Sequence, residues 1–231
     1  MRKSLNSGSI FRRILPAQPC ALCGTHSLHG VWCEPCDANL PRLGNNHCPV
    51  CALPSPHGAT CGKCLRRAPA FDHTVAAFAY AFPLDKLIQA VKFSERLNLI
   101  AQLADALAQG INIRPDAIVA LPLHPMRLRE RGFNQSQLLA ARLARRLNIP
   151  LLNNICQRTR NTTPQSTLAW QARGKNMRQA FTCSADLSGK HIAIVDDVMT
   201  SGASIEELAR TLRQAGATQI SAWVVARTLP R

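Results

Sequence analysis

Apolar positions downstream of Phe71 follow two rhythms: short unbroken runs, and runs spaced three and four residues apart. The run Ile192, Ala193, Ile194, Val195 is too short for a core helix and reads as a buried strand. His73–Ala79, Ala117–Leu121 and Ser221–Ala226 read the same way, and Phe181 and Thr182 open a further short strand. Between them, Leu84–Lys92, Leu97–Gln109 and Gln135–Leu147 carry helical spacing. In the last of these, Leu139, Leu143 and Leu147 face a core while Arg142, Arg145 and Arg146 point outward. Asn134 is placed to cap it, with Gln137 at capping-box spacing. A final helix starts at Ser204, with Glu207 three residues on. It buries Ile205, Leu208, Ala209 and Leu212 and stops at Gly216. Strands separated by helices predict an α/β domain, a mainly parallel sheet flanked by helices on both sides. Ligands of such sheets sit at the carboxyl ends of strands.

At one such end the chemistry is concentrated. Asp196 and Asp197 follow the strand Ile192–Val195, and a loop of small residues, Thr200, Ser201, Gly202, Ala203 and Ser204, leads into the final helix. That order leaves backbone N–H groups and the positive helix end available to hold a phosphate. The paired carboxylates can take vicinal hydroxyls or a hydrated magnesium ion. Together they describe a site for a ribose 5-phosphate. The plainer alternative is a buried strand and turn whose aspartates cap the next segment. Neither GxxxxGK[ST] nor GxGxxG occurs anywhere in the chain.

Eight of the ten cysteines form four CxxC pairs, Cys20/Cys23, Cys33/Cys36, Cys48/Cys51 and Cys61/Cys64. The second four repeat the first at an offset of 28 residues, and His29-Gly30 recurs as His57-Gly58, so the segment is duplicated. Each copy supplies four thiolates for a tetrahedral zinc ion at a closed, structural site. Two sequential ribbons with one zinc each follow, with a cross-braced pairing as the alternative. Disulfides would need an oxidising compartment, a redox CxxC usually occurs singly, and an iron–sulfur cluster is not favoured by ribbon spacing. The repeated histidines fit the turn of the ribbon better than a ligand role. Cys156 and Cys183 stand alone and read as small packed side chains.

The 231 residues accommodate a basic tail over 1–18, a double zinc ribbon over 19–68 and the α/β domain over 70–231. The ribbons are too small to fold without metal. No apolar run is long enough to cross a membrane and no signal-peptide pattern begins the chain, so a cytoplasmic protein is expected. Formal charge is +15; two zinc ions with eight thiolates would lower it to about +11. Between Glu130 and Asp186 there is no acidic residue, while Arg131, Arg142, Arg145, Arg146, Arg158, Arg160, Arg173, Lys175 and Arg178 all lie there. So long an acid-free stretch favours a polyanionic partner, a pyrophosphate or a nucleic-acid backbone. Arg158 to Arg178 reads as a loop whose cations could close over a diphosphate, or as an ordinary basic surface loop. Aromatic residues make up only 5%, with Trp32 and Trp170 as the exposed candidates, so nucleic acid would be held mainly by its backbone.

VDDVMTSGAS resembles the phosphoribosyl pyrophosphate signature of type I phosphoribosyltransferases. ALPLHPMRLRERGFNQSQLLA, RTRNTTPQSTL and RGKNMRQAF, together with the cysteine-rich segment, resemble the ComF family of competence and DNA-utilisation proteins. The resemblance implies that Asp196 and Asp197 face the ribose hydroxyls with magnesium, and that Thr200 to Ser204 wraps the 5-phosphate. It places Pro122, Leu123 and His124 at the pyrophosphate, which Arg158 and Arg173 of the basic loop would join. Thr200 stands where purine-salvage relatives carry an aspartate base, so salvage through such a base is not expected. Three readings follow. One is a protein that handles imported single-stranded DNA, with Arg142, Arg145 and Arg146 as nucleic-acid contacts. The second is a magnesium-dependent phosphoribosyltransferase. The third is a non-catalytic adaptor that senses a phosphoribosyl compound or related nucleotide and docks a DNA-uptake helicase.

Overall fold

The computed structural model describes residues 18–28, 30–93, 96–159 and 179–230. The chain divides into two compact units, Met1–Asn39 and Leu40–Arg231. The first holds the short antiparallel pair β1 (Gln18–Pro19) and β2 (His26–Ser27) and one helical turn, α1 (Glu34–Ala38). Trp32 is 2% exposed there and donates its indole N–H to Asp37, so it is a core residue and not the exposed aromatic expected.

The second unit carries the second cysteine-bearing segment, with α2 (Gly62–Arg66), as well as the sheet. The sheet contains β3 (His73–Ala79), β4 (Ala117–Ala120), β7 (His191–Met199) and β8 (Gln219–Arg227) in the order β3-β8-β7-β4, every pair parallel. Helices α3 (Leu84–Phe93), α4 (Leu99–Ala108), α5 (Pro125–Arg131), α6 (Gln135–Leu147) and α7 (Ala203–Gln214) make the connections. A small antiparallel hairpin, β5 (Cys156–Arg158) and β6 (Phe181–Cys183), stands apart from the sheet. Alternation along β7 separates the two faces. Ile192 and Ile194 join Leu208, Ala209 and Leu212 of α7 in one cluster. Ala193 and Val195, equally buried, point the other way, where α4 and α6 pack on the sheet and on each other. This is the parallel α/β sheet that the periodicity predicts.

Three local expectations change. Helix α5 was not visible in the apolar pattern, although Pro125 at its first position and Gly132 in the left-handed region (φ 78°) just past its end bracket it. Asn134 does cap α6, accepting from the Ser136 N–H at 3.0 Å, but Gln137 turns to Asn153 and closes no capping box. Helix α7 begins at Ala203, one residue early, because Gly202 turns the chain with φ 81° and no side-chain cap. Ser204 is therefore not the cap. Glu207 accepts from the Gln179 N–H at 2.5 Å and pairs with Arg210.

Candidate functional site

The site forms where β7 outruns its neighbour. Strand β4 accompanies β7 only as far as Val195, opposite Ala120, while β8 accompanies it to Met199. Sequence reasoning ended this strand at Val195; in the fold Asp196 and Asp197 lie inside it, on the part whose β4 edge is open. The chain leaving β4 and the start of α6 fill that edge. The Leu121 N–H donates to Val195 O at 2.9 Å, Asn134 Nδ2 donates to Leu121 O at 3.1 Å, and Ser136 Oγ donates to Asp196 Oδ1 at 2.8 Å.

Both carboxylates are nearly sealed, Asp196 at 8% and Asp197 at 7% exposure. Asp197 Oδ2 lies 2.6 Å from Lys92 Nζ, at the end of α3. The pair therefore faces protein partners and does not stand open, as a simple diol clamp would. Burial, with the adjacent Asp197 charge, pushes the Asp196 carboxyl up to about 7 against the donation from Ser136. Burial works on Asp197 in the same direction, but Lys92 overrides it and holds that carboxyl below the usual carboxylate range. Lys92, disfavoured as a cation by burial, is raised in turn by Asp197. The result is one carboxylate paired and ionised beside one poised to titrate near neutrality.

Past Met199 the chain turns at Gly202 into the amino end of α7. Gly202 has φ 81°, in the left-handed region that favours glycine; a Cβ there would also meet Met199 Cε at 2.8 Å, the movable end of that side chain. Among the described residues Ala203 N–H reaches only Ser201 Oγ, at 3.3 Å, and Gly202 gives the helix start no side-chain cap. Such a start leaves N–H groups and the positive end of the helix dipole available to an anion.

Pro122, Leu123, His124, Asn134, Gln157 and Arg158 line one cavity of about 770 Å³ beyond β4. Four of the residues expected at pyrophosphate, Pro122, Leu123, His124 and Arg158, are thus brought together. His124 is partly committed, because its Nδ1 accepts the Met126 N–H at 3.3 Å and caps α5. Arg158 also lies over the Phe181 ring at 5.9 Å. Arg173, with the rest of the basic loop from Arg160 to Arg178, lies outside the described residues. The arginines of α6 are less open than expected: Arg142 pairs with Asp105 at 2.8 Å and Arg146 approaches the same carboxylate at 3.9 Å. Lys92 and Ser136 carried no signal in the sequence, and Arg131, stacked over Phe93 at 5.8 Å, stood out there only as one cation of the acid-free stretch.

The eight cysteines gather as Cys20, Cys23, Cys33, Cys36 and as Cys48, Cys51, Cys61, Cys64, each set with its sulfurs within 4.8 Å of one another. The arrangement is sequential, not cross-braced. Sulfur separations of 3.7 Å, Cys23 to Cys33 and Cys51 to Cys61, match the ~3.8 Å edge of a tetrahedron with zinc–sulfur bonds of about 2.3 Å. Backbone N–H groups of Cys33 and Cys61 donate to the sulfurs of Cys20 and Cys48, both at 3.3 Å, as fits thiolate acceptors. Two four-cysteine sites fit two structural zinc ions. His57 belongs to neither; with Gly58 it forms a left-handed turn. Cys156 and Cys183, isolated in sequence, face each other across the β5–β6 hairpin.

Residues 10–65 match the double zinc ribbon domain, and residues 132–229 the phosphoribosyl transferase domain. The chain is 36% identical over 174 residues to the DNA utilization protein YhgH of Escherichia coli K12, covering 71% of this chain and 76% of that one. It is 35% identical over the same length, with the same coverage, to competence protein F of Haemophilus influenzae. Among solved structures, a glutamine phosphoribosylpyrophosphate amidotransferase from B. subtilis overlaps 54% of this chain and 25% of its own, at 20% identity and a TM-score of 0.38. With a zinc-ribbon segment and a phosphoribosyl transferase domain in one chain, and relatives matched over three quarters of their length, the protein belongs to the ComF family of competence and DNA-utilisation proteins.

Proposed function

We propose that this protein serves DNA utilisation and that its α/β domain binds phosphoribosyl pyrophosphate, or a nucleotide that shares its ribose 5-phosphate, at the end of β7. One juxtaposition carries the reading: a buried, unequal carboxylate pair stands where β7 outruns β4, a few residues ahead of an uncapped helix start turned by Gly202. The helix end suits a 5-phosphate, and a diol would have to reach the carboxylates through the 7–8% of their surface that stays exposed. Asp196 and Asp197 would hold a magnesium ion brought with the ligand, and such an ion would neutralise diphosphate charge. Lys92 already neutralises Asp197, so the protein's own part is to keep one carboxylate ionised before any ligand arrives.

The 770 Å³ cavity supports placing the diphosphate there. Burial and the nearby Arg127 work against the Arg158 charge while Asp196 supports it, and an entering anion would add to that support. Zinc at both cysteine sets is structural, closed by four sulfurs. Single-stranded DNA and a helicase are proposed as partners on the strength of family membership and the basic composition. Of the α6 arginines, Arg145 fits a phosphate contact best, since Arg142 and Arg146 turn to Asp105.

Calorimetry with phosphoribosyl pyrophosphate and magnesium tests the site. Wild type should bind, and Asp196→Asn, which preserves the Lys92–Asp197 pair, should weaken binding at least tenfold without lowering the melting temperature. Equal affinity in the variant would remove the pocket from β7.

A further inference from the structure

Arg227, the last residue of β8, is 2% exposed, and among the described residues its guanidinium donates only to backbone carbonyls. Nε donates to Cys51 O at 2.8 Å. Nη1 donates to Met199 O at 2.8 Å, to Thr228 O at 3.0 Å and to Thr200 O. Among the described residues no carboxylate pairs with it. A buried cation without a countercharge is a costly arrangement that native structures compensate. The acceptors identify what is being compensated. Cys51 is a ligand of the second cysteine set, and Met199 and Thr200 are the residues from which the turn at Gly202 departs. Four thiolates around one zinc ion carry a net charge of −2, and Cys51 and Cys64 line the same 350 Å³ cavity as Arg227, Met199 and Gly202.

The knuckle is held from a second side. The Thr74 N–H donates to Pro49 O at 2.9 Å and Thr74 Oγ1 to Val50 O at 2.6 Å, so the CxxC turn of Cys48–Cys51 lies against β3 while Arg227 reaches it from β8. Ala52, in the left-handed region at φ 55°, returns its N–H to Cys48 O at 2.8 Å, which sets the direction of the Cys51 carbonyl.

We infer that Arg227 is a positioning residue that couples the second zinc site to the loop between β7 and α7, so that metal at Cys48, Cys51, Cys61 and Cys64 holds residues 199–203 in their anion-binding shape. The metal fixes the knuckle, the knuckle fixes the Cys51 carbonyl, and the guanidinium spans from that carbonyl to those of Met199 and Thr200. Loss of this zinc, by chelation or by oxidation of its thiolates, loosens a loop that touches no metal. The consequence for ligand affinity rests on the phosphoribosyl reading of that loop; the coupling itself does not.

Hydrogen exchange of full-length protein reads the coupling without any ligand. Cys61→Ser, which removes one sulfur from the second CxxC pair of this set, and Arg227→Met, which removes the bridge, should each speed exchange of the amides of residues 200–203 at least tenfold. The double variant should be no faster than the faster single one, because both break one path. Arg227→Met should retain more zinc than Cys61→Ser, measured by metal release to a chromogenic chelator. If Arg227→Met does not fold, Arg227→Lys, a cation that cannot span several carbonyls, takes its place with the same expectation. Wild-type exchange at residues 200–203 in Cys61→Ser, or additive effects in the double variant, would overturn the coupling. Phosphoribosyl pyrophosphate affinity should fall at least tenfold in the same variants. A wild type that does not bind this ligand, yet shows the exchange pattern, would sink the functional reading and leave the coupling standing.

Discussion

Replacing Lys92 with methionine removes the ammonium from the Asp197 carboxylate while keeping most of the stem. The ion pair is short, 2.6 Å, with side-chain exposures of 22% for Lys92 and 9% for Asp197. At an effective dielectric of about 20 the gross attraction is ~6 kcal/mol. Desolvation offsets much of it, so the measurable quantity is the cost of leaving a buried carboxylate unpaired, about 3–5 kcal/mol. The loss must depend on pH with a definite sign. In the wild type Asp197 is held below the usual range, so its stabilisation is present above the ordinary carboxylate pKa and lost as pH falls through the lowered folded value. Without Lys92, burial raises that pKa, and acidification relieves the variant by protonating it. The stability gap should therefore be widest near pH 8 and narrow towards pH 6. Adding Asp197→Asn to Lys92→Met should recover at least half of it. Urea denaturation followed by circular dichroism over that range measures both. A gap below ~1 kcal/mol at pH 8 would refute the argument that Lys92 is what makes a buried Asp197 tolerable.

With Asp196 pushed up to about 7, a ligand that needs it ionised must displace a proton in more acidic solution. Affinity for phosphoribosyl pyrophosphate with magnesium should be flat above pH 8 and fall by up to about tenfold per unit below 7; calorimetry at pH 6, 7 and 8 distinguishes this from a flat profile. Purified protein should carry two zinc ions per chain by elemental analysis, and Cys48→Ser one, since each set is complete in itself. Zero zinc in folded wild type would overturn the ribbon assignment.

Elements with a strong period were legible in the sequence because their signals are local. His73–Ala79 and Gln135–Leu147 coincide with β3 and α6, and the 28-residue offset of the cysteine quartets anticipated two sequential sites. Ends were harder. Strand β7 runs through Asp196 and Asp197 because β8 keeps pairing with it to Met199, a neighbour the strand's own residues do not reveal. Helix α7 starts at Ala203, just after Gly202, because a left-handed turn outweighs the Ser204–Glu207 spacing. The α6 arginines looked outward by helix periodicity alone, yet Asp105, brought in by α4, claims two of them.

The order strand, acidic pair, small-residue loop and helix was set by composition and spacing, as was the chemistry of the thiolate quartets. Those features lie within a few residues or one repeat, where rigid peptide geometry leaves little choice. Only the tertiary structure decided what state the acidic pair is in. Ser136, sixty residues away, and Lys92 at the end of another helix arrive through packing and seal it. Likewise, the 176 residues between Cys51 and Arg227 close only because β8 ends beside the second knuckle. Burial shifts charges and distant partners compensate them, and neither effect has a signature in a linear chain.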